Sequence, residues 1–165
     1  MSGVDAGALA ESVRVSLATL KDVAGIMGSF VCTPDGRLVS REISPVFDDG
    51  ALAEAGSRLL RMREAFAAGG DEMEAGVIRF RDHRIYTKTL GNSMLMIVTE
   101  ADVNMPALRM AANLVGRRIA AAVARVESEP PSVRAPAPVP AEPARSVRRT
   151  EAPPGMRRFR GRDVV

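Results

Sequence analysis

The chain has 165 residues, of which 46% are hydrophobic and 26% charged, values typical of a single soluble globular domain. Its one cysteine, Cys32, excludes an internal disulfide framework and a multi-cysteine zinc site, and its one histidine, His83, argues against a histidine-rich metal site. No apolar run reaches the roughly 18 residues that a transmembrane helix requires, and residues 1–11 do not resemble a signal peptide. We therefore expect a cytoplasmic protein.

The net positive charge belongs to the C-terminal part of the chain. Residues 129–165 contain eight arginines, four acidic residues and eight of the 11 prolines, whereas residues 1–128 contain 15 basic and 16 acidic residues. A segment so rich in proline and so poor in large apolar side chains cannot bury enough surface to offset the entropy lost on ordering. The composition therefore predicts a folded domain over residues 1–128 and a disordered basic tail over residues 129–165.

The sequence of the folded part predicts a helix, a β-hairpin, a second helix, a three-stranded meander and a last helix. Apolar residues recur every three or four positions in the helices, and short apolar runs separated by turn residues mark the strands. The predicted ranges are helices over 8–22, 49–68 and 104–128, and strands over 28–33, 38–43, 76–80, 85–90 and 93–99. This α-β-β-α-β-β-β-α order predicts the α/β (α+β) class, with one five-stranded antiparallel sheet flanked by helices.

Capping residues support the limits of the second and third helices. Asp48 or Asp49 can cap the start of the second helix, and the pair Gly69 and Gly70 ends it. Asn104 can cap the start of the last helix in the same way.

The second predicted helix carries three kinds of surface. An apolar face is predicted to contact the core: Leu52, Ala55, Leu59, Met62 and Phe66. The opposite face is predicted to contact solvent: Glu54, Arg58, Arg61, Glu64 and Ala65. Between the two lies a track formed by Ala53, Gly56 and Leu60. Because glycine inside a helix costs about 1 kcal/mol relative to alanine, Gly56 indicates either close approach of another helix or close packing under a strand.

No sequence motif indicates an enzyme or a cofactor site. The chain lacks a P-loop, a dinucleotide-binding glycine motif, a zinc-protease motif and an EF-hand loop, so we expect no catalytic, cofactor-binding or metal-binding residues. Cys32 lies in an apolar strand and is expected to be a buried, inert thiol. His83 is expected at a hairpin tip, as a surface or turn residue. Met94 and Met96 favour gap filling in a core short of aromatic residues over an adaptable binding surface.

Two stretches, one near each end of the folded part, have the pattern of a known domain family. "LATLKDVAGIMGSFVCTPDGRLVSREI" reads as a helix, a glycine turn, a strand, an Asp-Gly turn and a second strand. "SMLMIVTEADVNMPALRMAANLV" reads as a strand followed by a helix that starts with Asn-x-x-x-x-Arg, here Asn104 and Arg109. Together they resemble the roadblock / dynein light-chain domain family, over roughly residues 8 to 125. Longin and profilin-like domains have related topologies and are the alternatives.

The resemblance implies a non-enzymatic protein that forms homo- or heterodimers. In the family, the middle helices and the strands that follow them pair across a two-fold axis into one continuous sheet. Carried onto this chain, these elements are the helix Asp49–Ala68 and the strand Gly76–Phe80, and the expected interface residues are Ala53, Gly56, Leu60, Val77 and Arg79. Such pairing would also cover an otherwise exposed edge strand.

The resemblance also implies a partner, because bacterial members of the family commonly bind small Ras-like GTPases. The gliding-motility type activates its GTPase without inserting an arginine. On this hypothesis, a rigid homodimer binds the GTPase and modulates its GTP hydrolysis or localisation, with Arg58, Arg61 and Glu64 as expected contacts. The alternative is a structural adaptor that assembles a cytoskeletal, motor or polarity complex without dependence on a GTPase.

The tail carries an interaction prediction of its own. Its arginines cluster around one phenylalanine, and the expected contact residues are Arg148, Arg149, Arg157, Arg158, Phe159 and Arg160. Unpaired arginines in a flexible segment favour an anionic membrane surface or an acidic protein. Nucleic acid is disfavoured because a single aromatic residue offers few stacking platforms. A purely solubilising extension is the alternative.

Overall fold

The structure, a computed structural model, describes residues 6–128. These residues form α1 (Ala6–Ala18), a 3₁₀ turn (Thr19–Asp22), β1 (Ile26–Cys32), β2 (Leu38–Glu42), α2 (Asp49–Ala68), β3 (Ala75–Arg79), β4 (His83–Leu90), β5 (Ser93–Glu100) and α3 (Met105–Ser128). The order of helices and strands is the predicted one. The predicted tail, residues 129–165, lies outside the described residues, so its disorder and its boundary stay predictions. In the described part, no helix is long and apolar enough to span a membrane.

The predicted caps form at both long helices. The side chain of Asp48, rather than that of Asp49, accepts a hydrogen bond from the Ala51 N–H at 2.8 Å and so caps α2. The Asn104 side chain accepts from the Ala107 N–H at 3.1 Å and caps α3. These bonds satisfy backbone donors that a helix start otherwise leaves open, which explains why the predicted and observed helix starts agree closely.

One antiparallel sheet has the strand order β2-β1-β5-β4-β3. The β1–β2 hairpin and the β3–β4–β5 meander meet where β1 pairs with β5, with Phe30 opposite Met96 and Cys32 opposite Met94. β2 and β3 are therefore the two edges of the sheet.

The helices divide between the two faces of the sheet. Buried residues of α1 and α3 form one core cluster with one face, and buried residues of α2 form a second cluster with the other face. α2 packs against β1, β5 and β2. Met94 and Met96 are fully buried beneath it, which confirms their predicted use as core residues. Because α2 sits over this half of the sheet, the β3–β4 half of the same face is less covered.

The face of α2 that enters the core differs from the predicted one. Its buried residues are Leu52, Gly56, Leu59 and Leu60. Met62 is 37% exposed and Phe66 is 49% exposed, so their prediction as core residues is wrong. The reason is that Gly56 has no side chain and lets its side of the helix approach the sheet, which rotates Met62 and Phe66 toward the flank.

Candidate dimer and partner interface

β3 presents a free edge of the sheet. Within the described residues it pairs with β4 alone. The N–H of Phe80 donates to the carbonyl of His83 at 2.9 Å. In an antiparallel ladder, residues whose backbone groups form hydrogen bonds with one neighbouring strand alternate with residues whose backbone groups point away from that strand. Counting back from Phe80, the backbone groups of Val77 and Arg79 therefore point away from β4 and toward the free edge.

An apolar trough runs between α2 and β3 on one face of the sheet. We call it the α2–β3 trough; its apolar lining comes from the loop before α2, the flank of α2 and the end of β3: Phe47, Ala51, Ala55, Phe66 and Phe80. Met62 is partly exposed on the same flank of α2. At one end the trough is a groove of about 370 Å³ with almost entirely apolar walls. At the other end lies a second, more polar opening, which is lined by Phe66, Met73 and Ala75 together with Asp71, Glu72 and Glu74. Phe80 is 57% exposed.

A free strand edge beside an exposed apolar trough is characteristic of a protein contact. Soluble chains rarely leave several large apolar side chains together in water, and unpaired strand edges attract other strands. Val77 adds a partly exposed apolar side chain on the opposite face of β3. The geometry thus gives one edge strand with apolar surface on both of its faces.

The expected interface residues fall into two groups. Val77 and Arg79 lie on the free edge, as the hypothesis requires. Gly56 and Leu60 instead face the sheet of their own chain, Leu60 being only 1% exposed. The alternative expectation for Gly56, packing under a strand, is the observed one. Ala53 lies on the flank of α2 next to the β1–β2 turn, where its carbonyl is 4.0 Å from the place of a Cβ added at Gly36.

Gly56 and Leu60 therefore offer no surface to a second chain, and their assignment to an interface is corrected; Ala53 is half-buried, and its place in an interface stays a prediction. Periodicity alone did not distinguish the two flanks of the helix. The flank that borders β3 is the one with Ala51, Ala55, Met62 and Phe66.

The polar face of α2 is where the sequence predicted it. Arg58, Arg61 and Glu64 are all exposed and lie on the side of the helix that faces away from the sheet. Arg58 forms an ion pair with Glu54 one turn earlier, as their spacing predicts. Both side chains remain mostly exposed, so this pair is weak and leaves Arg58 accessible.

Arg41, which the sequence did not single out, fixes the loop at one end of the α2–β3 trough. Arg41 of β2 donates from Nη1 to the Phe47 carbonyl at 2.7 Å and to Asp49 Oδ1 at 2.6 Å. From Nη2 it donates to the Ser44 carbonyl at 3.3 Å. The loop between β2 and α2 is thereby tied to the sheet, and Phe47 is held over the groove. The signal in the sequence was weak, because β2 reads Leu-Val-Ser-Arg-Glu and Arg41 is one of its two charged residues.

His83 lies in a strand rather than at the predicted hairpin tip. The bond from the Phe80 N–H to the His83 carbonyl closes a tight turn that contains only Arg81 and Asp82. His83 therefore begins β4, opposite Glu100 of β5, and its half-buried side chain lines the groove. Its prediction as a turn residue is corrected for this reason.

The remaining candidate groups are the thiol of Cys32, the acidic side chains and the tail. Cys32 is buried as a free thiol, as predicted, and burial raises its pKa to about 12, so it stays protonated near neutral pH. In residues 6–128, no three histidine, cysteine, aspartate or glutamate side chains lie together as metal ligands. The predicted tail contacts, Arg148, Arg149, Arg157, Arg158, Phe159 and Arg160, lie outside the described residues.

The fold is that of a roadblock-type domain, as comparison with solved structures shows. Myxococcus xanthus MglB superposes with a TM-score of 0.65 at 12% sequence identity, over 79% of this chain and 98% of that chain. The gliding protein MglB from Thermus thermophilus superposes with a TM-score of 0.61 at 11% identity, over 76% and 95%. A Roadblock/LC7 domain from Streptomyces avermitilis gives 0.51 at 20% identity, over 64% and 96%. No protein-family model and no curated protein matches the sequence.

Proposed function

We propose that this chain forms a cytoplasmic homodimer that binds a small Ras-like GTPase and modulates its GTP hydrolysis or localisation, without catalysing a reaction of its own. The observation that carries the proposal is the α2–β3 trough beside a free strand edge, in a chain with the fold of MglB. The GTPase is the partner that the sequence resemblance to the roadblock family implies.

The dimer forms by antiparallel pairing of β3 with the β3 of a second copy. Val77 and Arg79 supply the free backbone groups, and each trough covers apolar side chains of the other copy, including Met62, Phe66 and Phe80. Two identical strands that pair antiparallel in one sheet are related by a two-fold axis perpendicular to that sheet. Both α2 helices therefore lie on one side of the joined sheet, and both α3 helices lie on the other.

The GTPase contacts the polar face of the paired α2 helices. Arg58, Arg61 and Glu64 of each copy supply charged groups on a rigid surface, which suits loops that change conformation with the bound nucleotide. The chain contributes by ordering those loops, and the water-positioning groups belong to the GTPase itself. No cofactor is required on this chain.

Nucleotide-dependent binding tests the proposal. The Ras-like GTPases of the source organism, loaded with GDP or with a non-hydrolysable GTP analogue, are titrated with the full chain, and single-turnover GTP hydrolysis is measured with and without it. We expect preference for the GTP form and a changed hydrolysis rate. The double variant Arg58→Glu/Arg61→Glu should weaken binding at least about tenfold, because charge reversal at a docked surface costs several kcal/mol.

Arg118→Glu is the matched control, because Arg118 is an exposed arginine on the opposite side of the sheet. It should leave GTPase binding unchanged. Equal binding of both nucleotide forms with no effect on hydrolysis would contradict the regulator and favour the structural adaptor of a cytoskeletal, motor or polarity complex.

A further inference from the structure

The outward side of α3 exposes large apolar side chains. Met110 is 74% exposed and Leu114 is 51% exposed. They are four residues apart, so they project from the same side of the helix, one turn apart. The opposite side of α3 is buried in the core through residues such as Leu108, Val115 and Ile119. Met110 and Leu114 thus form a short apolar ridge that no other described element covers.

Arginines flank this ridge. At 100° per residue, Arg117 lies on one side of it, and Arg118 and Arg125 lie on the other. All three are exposed, and none has an ion-pair partner in the part of the chain that the structure describes. From residue 105 to residue 126 the helix contains no acidic residue. We define Met110, Leu114, Arg117, Arg118 and Arg125 as the α3 outer face.

The C-terminal end of α3 is fixed to the sheet. Arg37 donates from Nη2 to the Val126 carbonyl at 3.2 Å. The hydroxyl of Ser93 donates to the carboxylate of Glu127, the one acidic residue of α3. Because this carboxylate is turned toward the sheet, it does not neutralise the arginines of the α3 outer face. The face is therefore a rigid surface with an unbalanced positive charge.

We propose that the α3 outer face docks on an anionic phospholipid surface. Guanidinium groups bind phosphate oxygens through paired hydrogen bonds, and each arginine near an anionic leaflet adds to the attraction. Met110 and Leu114 reach the boundary between headgroups and acyl chains, as the apolar side chains of interfacial helices do. Leu114 and Arg117 are three residues apart, so the apolar and phosphate contacts form together.

The size and charge of the α3 outer face favour a lipid surface over a protein partner or the tail of the chain. Two apolar side chains are too few for a standard protein interface, which buries about 800 Å² on each partner. Shallow insertion into a charged bilayer needs far less apolar area. The chain's own tail is excluded because residues 129–165, with eight arginines and four acidic residues, have the same sign of charge. That segment follows α3 directly and adds to the attraction.

In the proposed dimer the attachment is bivalent, and this step rests on the proposed function. Both α3 outer faces lie on the side of the sheet opposite the two α2 helices. A single bilayer can therefore bind both copies at once, which raises the apparent affinity without any new contact. The GTPase-binding side then faces away from the membrane.

Sedimentation with lipid vesicles tests the proposal on the full chain. Vesicles of phosphatidylcholine alone are compared with vesicles that also contain phosphatidylglycerol. We expect binding to the anionic vesicles only, and its loss at about 1 M salt, where the Debye length is about 3 Å. The variant Arg117→Glu/Arg118→Glu should reduce the partition coefficient at least about tenfold, and Leu114→Ser should reduce it severalfold.

The controls separate this proposal from the others. Arg58→Glu/Arg61→Glu, on the GTPase-binding side, should bind vesicles like the unaltered chain. The vesicles contain no GTPase, and the oligomeric state is measured separately by light scattering, so failure of the proposed function leaves this test intact. Unchanged vesicle binding in Arg117→Glu/Arg118→Glu would assign the interaction to the tail and overturn the proposal. Absence of binding, or equal binding to both kinds of vesicle, would also overturn it.

Discussion

Gly56 of α2 lies directly over Cys32 of β1. A Cβ added at Gly56 would be 2.5 Å from the Cys32 Sγ and 2.9 Å from its Cβ. Both distances are shorter than van der Waals contact, and neither atom belongs to a long flexible side chain. The missing side chain at Gly56 therefore sets how closely α2 sits on the sheet.

The first prediction concerns this contact. Gly56→Ala should lower the free energy of unfolding, although alanine favours the helix by about 1 kcal/mol, because overpacking a core costs about 1–3 kcal/mol. We expect a net loss of about 1 kcal/mol and a melting temperature lower by about 4 °C. Thermal and urea unfolding measure both quantities.

The paired variant supplies the control. In a Cys32→Ala background the 2.5 Å contact with the sulfur is gone but the 2.9 Å contact with the Cβ remains, so Gly56→Ala should lower the free energy of unfolding by less than it does in the unaltered chain. Equal effects of Gly56→Ala in both backgrounds would show that the sulfur contact does not determine the requirement for glycine.

The second prediction concerns the free edge of β3. Val77→Pro removes an N–H that points away from β4, so the fold should survive while strand pairing with a second copy is blocked. Light scattering at micromolar concentration should show a dimer for the unaltered chain and a monomer for this variant. Circular dichroism should show the same secondary structure for both.

Ile78→Pro is the matched control, one residue further along the strand. Its N–H points toward β4, so this variant should lose an internal ladder hydrogen bond and unfold more easily by about 1–3 kcal/mol. If the unaltered chain is a stable monomer, or if Val77→Pro remains a dimer, the proposed pairing of β3 is wrong.

The third prediction concerns the thiol of Cys32. Since its pKa is raised to about 12, the folded chain should not react with a thiol reagent at pH 8, whereas the unfolded chain should react fully. An acidic group whose pKa is raised by folding stabilises the fold below its unfolded pKa, here 9.0, and loses that contribution as the pH rises. Stability should therefore fall between about pH 9 and pH 12, with a slope of up to about 1.4 kcal/mol per pH unit.

Comparison with Cys32→Ala isolates this effect. Tyr86 also has a raised pKa because of its burial, so part of the alkaline loss does not involve Cys32. The difference in unfolding free energy between the two chains should shrink as the pH rises above 9. A difference that is independent of pH would mean that the thiol ionises as easily in the folded chain as in the unfolded one.

The fourth prediction concerns residues 129–165. Their removal should leave the melting temperature and the dimer unchanged, because the buried core lies within residues 6–128. It should weaken a salt-sensitive interaction with an anionic membrane or an acidic protein. A melting temperature lower by more than about 4 °C would indicate that the tail docks on the domain.

Local rules predicted most of the fold from the sequence. Asp48 and Asn104 begin the long helices, and the glycine turns end the strands, because each acts on backbone groups within a few residues. The polar face of α2 could also be predicted from the sequence, since charged side chains remain in water regardless of the neighbouring elements.

The candidate interface required tertiary structure. A hydrophobic periodicity assigns no weight to glycine, so it favoured Met62 and Phe66 over Gly56 as core residues of α2. The clue was the glycine itself, whose packing partner is Cys32, far away in the sequence. The hydrogen bonds of Arg41 could not be predicted either, because their backbone acceptors lie in a loop whose path depends on how α2 packs on the sheet.

The ladder between β1 and β5 also determines how the sheet assembles. The β1–β2 hairpin and the β3–β4–β5 meander each consist of neighbours in sequence, which pair within microseconds, about 1–10 μs for a hairpin. The β1–β5 ladder, which pairs Ile26 with Thr99, must first close a loop that contains β2, α2, β3 and β4. Closing such a loop is slow because its entropy is lost before the contacts form. We therefore expect the rate of folding to be limited by pairing at the centre of the sheet, and not at its edge strand β3.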